Sequence, residues 1–148
     1  MKTTNKNIKK DIEKLQKLHS RLSNIRTEYI RYIINSLVKQ SPKFISIEDL
    51  NVKGMLKNRK LARAISDMGF YEFKRQLIYK AKQHGKSVLS VGRFFPSSKM
   101  CSCCGELNQY LTLSAREWKC LVCQTIQNRD VNASINILRY ADKDLITA

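Results

Sequence analysis

Five cysteines fall within residues 101–123, and four of them form two Cys-x-x-Cys pairs, Cys101/Cys104 and Cys120/Cys123, with 15 residues between the pairs. Two such turns can gather four thiolates around one ion. Tetrahedral Zn²⁺, with sulfurs at about 2.3 Å, is the metal this donor set suits best. Gly105 follows the first pair and supplies the positive φ of a tight turn. Cys103 is left over, because only Cys104 stands at the two-residue spacing from Cys101. A closed four-sulfur set has no open coordination position, so the zinc is expected to be structural. It would staple a small ribbon over residues 101–125, with Trp118 and Leu113 in its core.

Two acidic residues suggest a second chemistry. Glu48 ends the apolar run FISIE, and Asp130 opens the helix-like string RDVNAS. Carboxylates at a strand end and a helix start can converge on Mg²⁺, a hard cation that needs oxygen ligands. Paired ions of this kind clamp the attacking and leaving oxygens of a phosphodiester. Spacing alone leaves plainer readings open. Asp130 would also serve as a first-turn acid complementing the helix dipole, and Glu48 or Asp49 as a solvated strand end.

The elements that must hold these residues read as α/β. Apolar residues at Ile8, Ile12, Leu15, Leu18, Leu22, Ile25, Tyr29, Ile33 and Leu37 step by three or four, one stripe on a long basic helix over residues 5–40. Pro42 ends it. Residues 44–48 and 87–91 read as short buried strands, with helices over residues 56–84 between them, broken near Gly69. A final helix over residues 129–141 carries Val131, Ile135 and Leu138 on one face. Strand, helix, strand is a parallel crossover unit. Two strands are few for so much helix, so the sheet reads as incomplete. Phe94 and Phe95 read as core residues rather than stacking platforms.

The 148 residues hold 28 Lys and Arg against 12 Asp and Glu, a net charge of +16. Residues 1–43 hold 11 basic and 3 acidic side chains, residues 44–100 hold 12 and 4, and residues 101–148 are balanced at 5 and 5. A surplus of this size argues against a generic neutral enzyme and favours a polyanionic partner, nucleic acid above all. No run of about 18 apolar residues is present, so no membrane span is expected. The opening MKTTNKNIKKDIEK has no apolar leader core. A cytoplasmic chain with reduced cysteines follows as the expectation.

The ordered strings ISIEDLNVKGM, LKNRKLARAISDMGFYEFKRQLIYKAKQHGKSV, RFFPSSKMCSCCG, WKCLVC and NRDVNASINILRYA resemble the C-terminal half of the OrfB/TnpB proteins of insertion sequences. The resemblance runs from about Leu15 to Tyr140. It implies a partial RNase H-like (RuvC) nuclease domain over residues 1–100 and 126–148, lacking its first strands, with the zinc ribbon of residues 101–125 inserted. It also implies descent from RNA-guided, Mg²⁺-dependent DNA endonucleases related to type V CRISPR effectors and traditionally called transposases. Their active site is an Asp–Glu–Asp triad. Glu48 and Asp130 match its last two members, and Cys101, Cys104, Cys120 and Cys123 match the zinc ligands. Asn128 stands where the family usually has Asp, at a position outside the triad. No GIDxG-like motif carrying the first Asp is found, so the expectation is a truncated DNA-binding protein with little activity alone and a weak Mg²⁺ site. DNA, guide RNA and a separate N-terminal fragment bearing the missing Asp are the implied partners. A non-enzymatic zinc-ribbon module that binds nucleic acid is the competing reading.

Overall fold

The computed structural model describes residues 3–112 and 114–146, so Leu113 lies outside the described residues. Element order is α1 (Thr3–Lys39), β1 (Phe44–Glu48), α2 (Val52–Met55), α3 (Ala62–Met68), α4 (Phe70–Gln83), β2 (Ser87–Val91), β3 (Glu117–Lys119), β4 (Ile126–Asn128) and α5 (Arg129–Ile146). The chain forms two compact units. One joins the segment up to Pro42 with Leu56–Gly85, and the other joins Lys43–Met55 with the chain from Lys86 onward. This division differs from the expected one of residues 1–100 and 126–148 against 101–125, because the helical crossover packs on α1.

In the helical unit the expected stripe is not the core. Its members Ile33 and Leu37 are half-buried, while the buried residues of α1 are Ile30, Ile34 and Val38, one position along, in the helix that packs against α4 with its buried Leu77 and Ala81. From Ile8 to Tyr29 the stripe residues are 50–64% exposed. Periodicity reports an apolar face but not its partner: the buried positions of α1 fall between Ile30 and Val38, and Arg26 already pairs with Asp67 of α3 at 3.0 Å. Gly69 separates α3 from α4 with φ of 63°, a left-handed value that glycine adopts without strain. A Cβ there would also sit 3.2 Å from Ile30 Cδ1. Residues 56–61 are turns, not the helix expected over residues 56–84, and Asn58 accepts the Lys60 amide hydrogen bond at 3.1 Å in that bend. The loop expected at Asn51–Gly54 includes the short helical turn α2.

Glu72, in the first turn of α4, accepts bonds from Arg75 at 2.6 and 2.8 Å and from Gln76 at 2.6 Å. The Arg75 guanidinium, then Gln76, hold its carboxyl down at about 2. A carboxyl lowered by folding stabilises above its ordinary value near 4.5 and loses that contribution as pH falls toward 2. The urea midpoint difference between wild type and Glu72→Gln, followed by helical circular dichroism, should therefore shrink across that window. A difference independent of pH would contradict the role of this cluster.

In the second unit β1 and β2 are parallel, in register from Phe44↔Ser87 to Glu48↔Val91. Helix α5 packs against both strands and against β4. β3 and β4 form an antiparallel pair from Glu117↔Asn128 to Lys119↔Ile126. The inward face of α5 is not the expected one. Val131 and Leu138 are exposed, while Asn132, Asn136 and Ala141 are buried. Phe94 is exposed rather than core, and half-buried Phe95 packs on Tyr140 with ring centroids 4.5 Å apart.

Candidate metal centres

The two Cys-x-x-Cys turns repeat one backbone design. In the first, Cys101 N donates to Glu106 O at 2.8 Å and Gly105 N to Cys101 O at 2.8 Å. In the second, Cys120 N donates to Thr125 O at 2.9 Å and Gln124 N to Cys120 O at 3.1 Å. Gly105 and Gln124 hold the matching left-handed position, at φ of 82° and 61°. Gln124 is there without glycine's freedom, and its side chain donates to Leu121 O at 2.9 Å, which offsets part of the strain. The peptide groups around each turn are thus bonded, and their sulfurs point to a common centre.

The four ligand sulfurs lie within 4.8 Å of one another. Cys101 and Cys123 are 3.6 Å apart, as are Cys104 and Cys120. All five cysteines are free thiols. Sulfurs at 2.3 Å from a tetrahedral centre are about 3.8 Å apart, so the set fits a soft divalent ion such as Zn²⁺. Among the described residues these four form the one group of three or more Cys, His, Asp or Glu with ligand atoms this close.

Ionisation in the set is divided. The Thr125 hydroxyl, then its backbone amide, bring Cys123 down to about 6. The Glu106 amide favours the Cys104 thiolate, yet burial and the neighbouring cysteines push Cys104 up to about 12. Burial opposes ionisation of Cys101, but the Cys104 and Cys103 amides and the Gln127 side chain outweigh it, and its value is lowered. Four crowded thiolates need a cation to coexist, which is what a bound metal supplies. Cys101, Trp118 and Cys120 form the ribbon core, with Leu111 and Cys123 packed against it. The buried Trp118 indole N–H has no hydrogen-bond partner.

Glu48 and Asp130 both belong to the unit built on β1 and β2. Glu48 is exposed at the carboxyl end of β1. Its neighbour Asp49 extends the ladder by donating its amide to Val91 O at 2.9 Å, and its carboxylate takes an ion pair from Arg93 at 3.1 Å. Asp130 is exposed in the first turn of α5, the helix that packs on this sheet. Asn128 Oδ1 accepts from the backbone amides of Asp130 and Val131, both at 3.2 Å, and so caps α5. Among the described residues no third acidic group closes with Glu48 and Asp130 into a three-ligand set.

Sequence reading missed the polar residues that hold this region together. Asn132 and Asn136 bond the segment entering the first cysteine turn, and Gln127 Nε2 donates to Cys101 Sγ at 3.3 Å. The signal was present as asparagines four apart in VNASIN, a spacing that puts both on one helix face.

Residues 70–137 match the family model Cas12f1-like, TNB domain. A candidate RNA-guided DNA endonuclease of Streptomyces pristinaespiralis is 41% identical over 132 residues, 89% of this chain and 32% of that protein. The candidate RNA-guided DNA endonuclease InsQ of Escherichia coli K12 is 35% identical over 147 residues, covering 89% of this chain and 36% of its own length. The chain thus spans about a third of the length of these curated relatives. A Cas12f1 chain from a cryo-EM structure of the Cas12f1–sgRNA–target DNA complex superposes with a TM-score of 0.62 at 25% identity, over 88% of this chain and 37% of that one. No helix among the described residues is long and apolar enough to cross a membrane.

Proposed function

We propose that this chain, a TnpB/OrfB-like protein, forms part of an RNA-guided DNA endonuclease, to which it contributes two carboxylates of a RuvC-like centre and a structural zinc ribbon. The observation that carries this reading is one arrangement. Glu48 ends a strand of a parallel pair, Asp130 begins the helix packed on that pair, and a four-cysteine ribbon lies between β2 and α5 in the chain. The same order of elements supports a partial RNase H-like fold.

Cys101, Cys104, Cys120 and Cys123 would hold Zn²⁺. Glu48 and Asp130 offer oxygen ligands suited to Mg²⁺, which supplies charge neutralisation at a phosphodiester when bound. Asn128 caps α5 and so fixes the turn that carries Asp130. Two exposed carboxylates hold a hard cation weakly, so the working centre takes a third from outside the described residues. A second polypeptide bearing that Asp is one source. DNA and a guide RNA are the proposed partners, in keeping with the net charge of +16 and the nucleic acids in the Cas12f1 complex.

Mn²⁺ is the probe for the carboxylate pair. Paramagnetic broadening of amide signals should centre on Glu48 and Asp130, with a dissociation constant in the millimolar range expected of so few ligands. Asp130→Asn should weaken it by about tenfold, a loss of about 1.4 kcal/mol. Broadening that ignores both residues would overturn their assignment.

A further inference from the structure

Helix α5 grips the first cysteine turn through buried side chains. Asn132, fully buried, donates through Nδ2 to Met100 O at 2.7 Å and accepts the Ser102 amide on Oδ1 at 2.7 Å. One turn later Asn136, 2% exposed, donates to Ser97 O at 2.8 Å and Met100 O at 2.6 Å. Arg139 Nη1 donates to Ser102 O. Met100 and Ser102 are the residues on either side of the ligand Cys101. Gln127 completes the grip from β4, meeting Cys101 Sγ at 3.3 Å and Ser102 Oγ at 3.4 Å.

The residue type is demanding. The Asn132 site needs a donor toward a carbonyl and an acceptor for an amide, and only the short carboxamide offers both at that length. An aspartate has the same shape but presents an acceptor to Met100 O and buries a charge. A second tether is covalent. β4 runs into α5 with no loop, and Arg129 N donates to Arg116 O at 2.8 Å at the junction. Ribbon and first turn of α5 are therefore joined at two places, with Asp130 between them.

We infer that Asn132 and Asn136 are positioning residues that transmit metal loading of the four cysteines to the first turn of α5, so that a zinc-loaded ribbon fixes where the Asp130 carboxylate is held. An empty set leaves the Cys101 turn free to move, and the bonds that anchor α5 move with it. The part of this inference that concerns Asp130 as a Mg²⁺ ligand rests on the function proposed above, whereas the coupling between ribbon and helix does not.

Amide hydrogen exchange of residues 129–134 in the full chain tests the coupling, with one equivalent of Zn²⁺ and again after chelation. Removal of zinc should speed exchange there by about tenfold or more in the wild type, as expected when a cooperative local unit opens. Asn132→Asp loaded with Co²⁺ should keep the tetrahedral thiolate spectrum, yet show less than about a threefold change on metal removal, because its first turn is already released. Asn136→Ala serves as the milder variant and should fall between the two. Unchanged exchange of residues 129–134 on chelation of the wild type overturns the inference, as does a full tenfold response in a metal-loaded Asn132→Asp. Should the exchange response hold while Mn²⁺ ignores Asp130, the magnesium reading fails and the coupling stands.

Discussion

Cys120→Ser is expected to abolish stoichiometric zinc binding and to unfold residues 101–125, while the helices of the first unit persist. Cys120 is 1% exposed, sits in the ribbon core beside Trp118, and anchors the second turn through its own amide. Structural zinc sites in small ribbons are worth roughly 10–16 kcal/mol of apparent binding energy at neutral pH, and that energy is folding energy. A ribbon of one antiparallel ladder between two three-residue strands and one buried tryptophan cannot replace it. Metal analysis together with tryptophan fluorescence reads the result, since Trp118 is the one tryptophan in the chain. A variant with full zinc content and an unshifted Trp118 emission would show that Cys120 is not a ligand. Cys103→Ser is the matched control. Cys103 is exposed and lies outside the four-sulfur set, so its loss should leave zinc content unchanged.

The second large effect is expected in nucleic-acid binding. Residues 1–100 carry 23 of the 28 basic side chains and only 7 of the 12 acidic ones. Contacts to six or more phosphates release condensed counterions, so affinity should fall by roughly a thousandfold from about 50 mM to about 200 mM salt. The slope of log K against log salt for a labelled duplex measures this directly. Neutralising Lys and Arg of α1 in pairs should lower the slope by about two for each pair that touches phosphate. A flat response would remove nucleic acid from the proposed partners.

Much of the second unit was legible in the chain because its signals are local. The cysteine spacing requires no knowledge of tertiary structure, and the structure brings those four sulfurs within 4.8 Å. The FISIE and SVLSV runs flank a crossover and pair in parallel. What could not be read depended on partners distant in sequence. The α1 stripe is periodic from Ile8 onward, yet burial depends on where α4 lies, and the buried positions are Ile30, Ile34 and Val38 rather than the stripe's Ile33 and Leu37. The inward face of α5 was misassigned for a related reason. Val131 and Leu138 suggested an apolar seam, but the buried face of α5 also meets the loop around Ser97–Ser102, whose carbonyls and amides need bonds. Asn132 and Asn136 supply those bonds, and buried peptide groups must be satisfied before apolar area counts. Turn residues 56–61 failed by propensity, since Leu, Lys and Arg favour helix, while Asn58 bonds locally and bends the chain.

The proposed role of Glu48 and Asp130 is the point on which the proposed nuclease function and the expected inactivity of the chain alone both rest. It is tested most directly by incubating the zinc-loaded chain alone with Mg²⁺ and end-labelled DNA, beside Glu48→Ala and Asp130→Ala. Two carboxylates without a third are expected to give no Mg²⁺-dependent cleavage above the variants, because loss of one ligand removes both positioning and charge compensation. Cleavage by the wild-type chain that requires Mg²⁺ and disappears in both variants would contradict the two-carboxylate centre, and a third ligand would then have to lie within this chain.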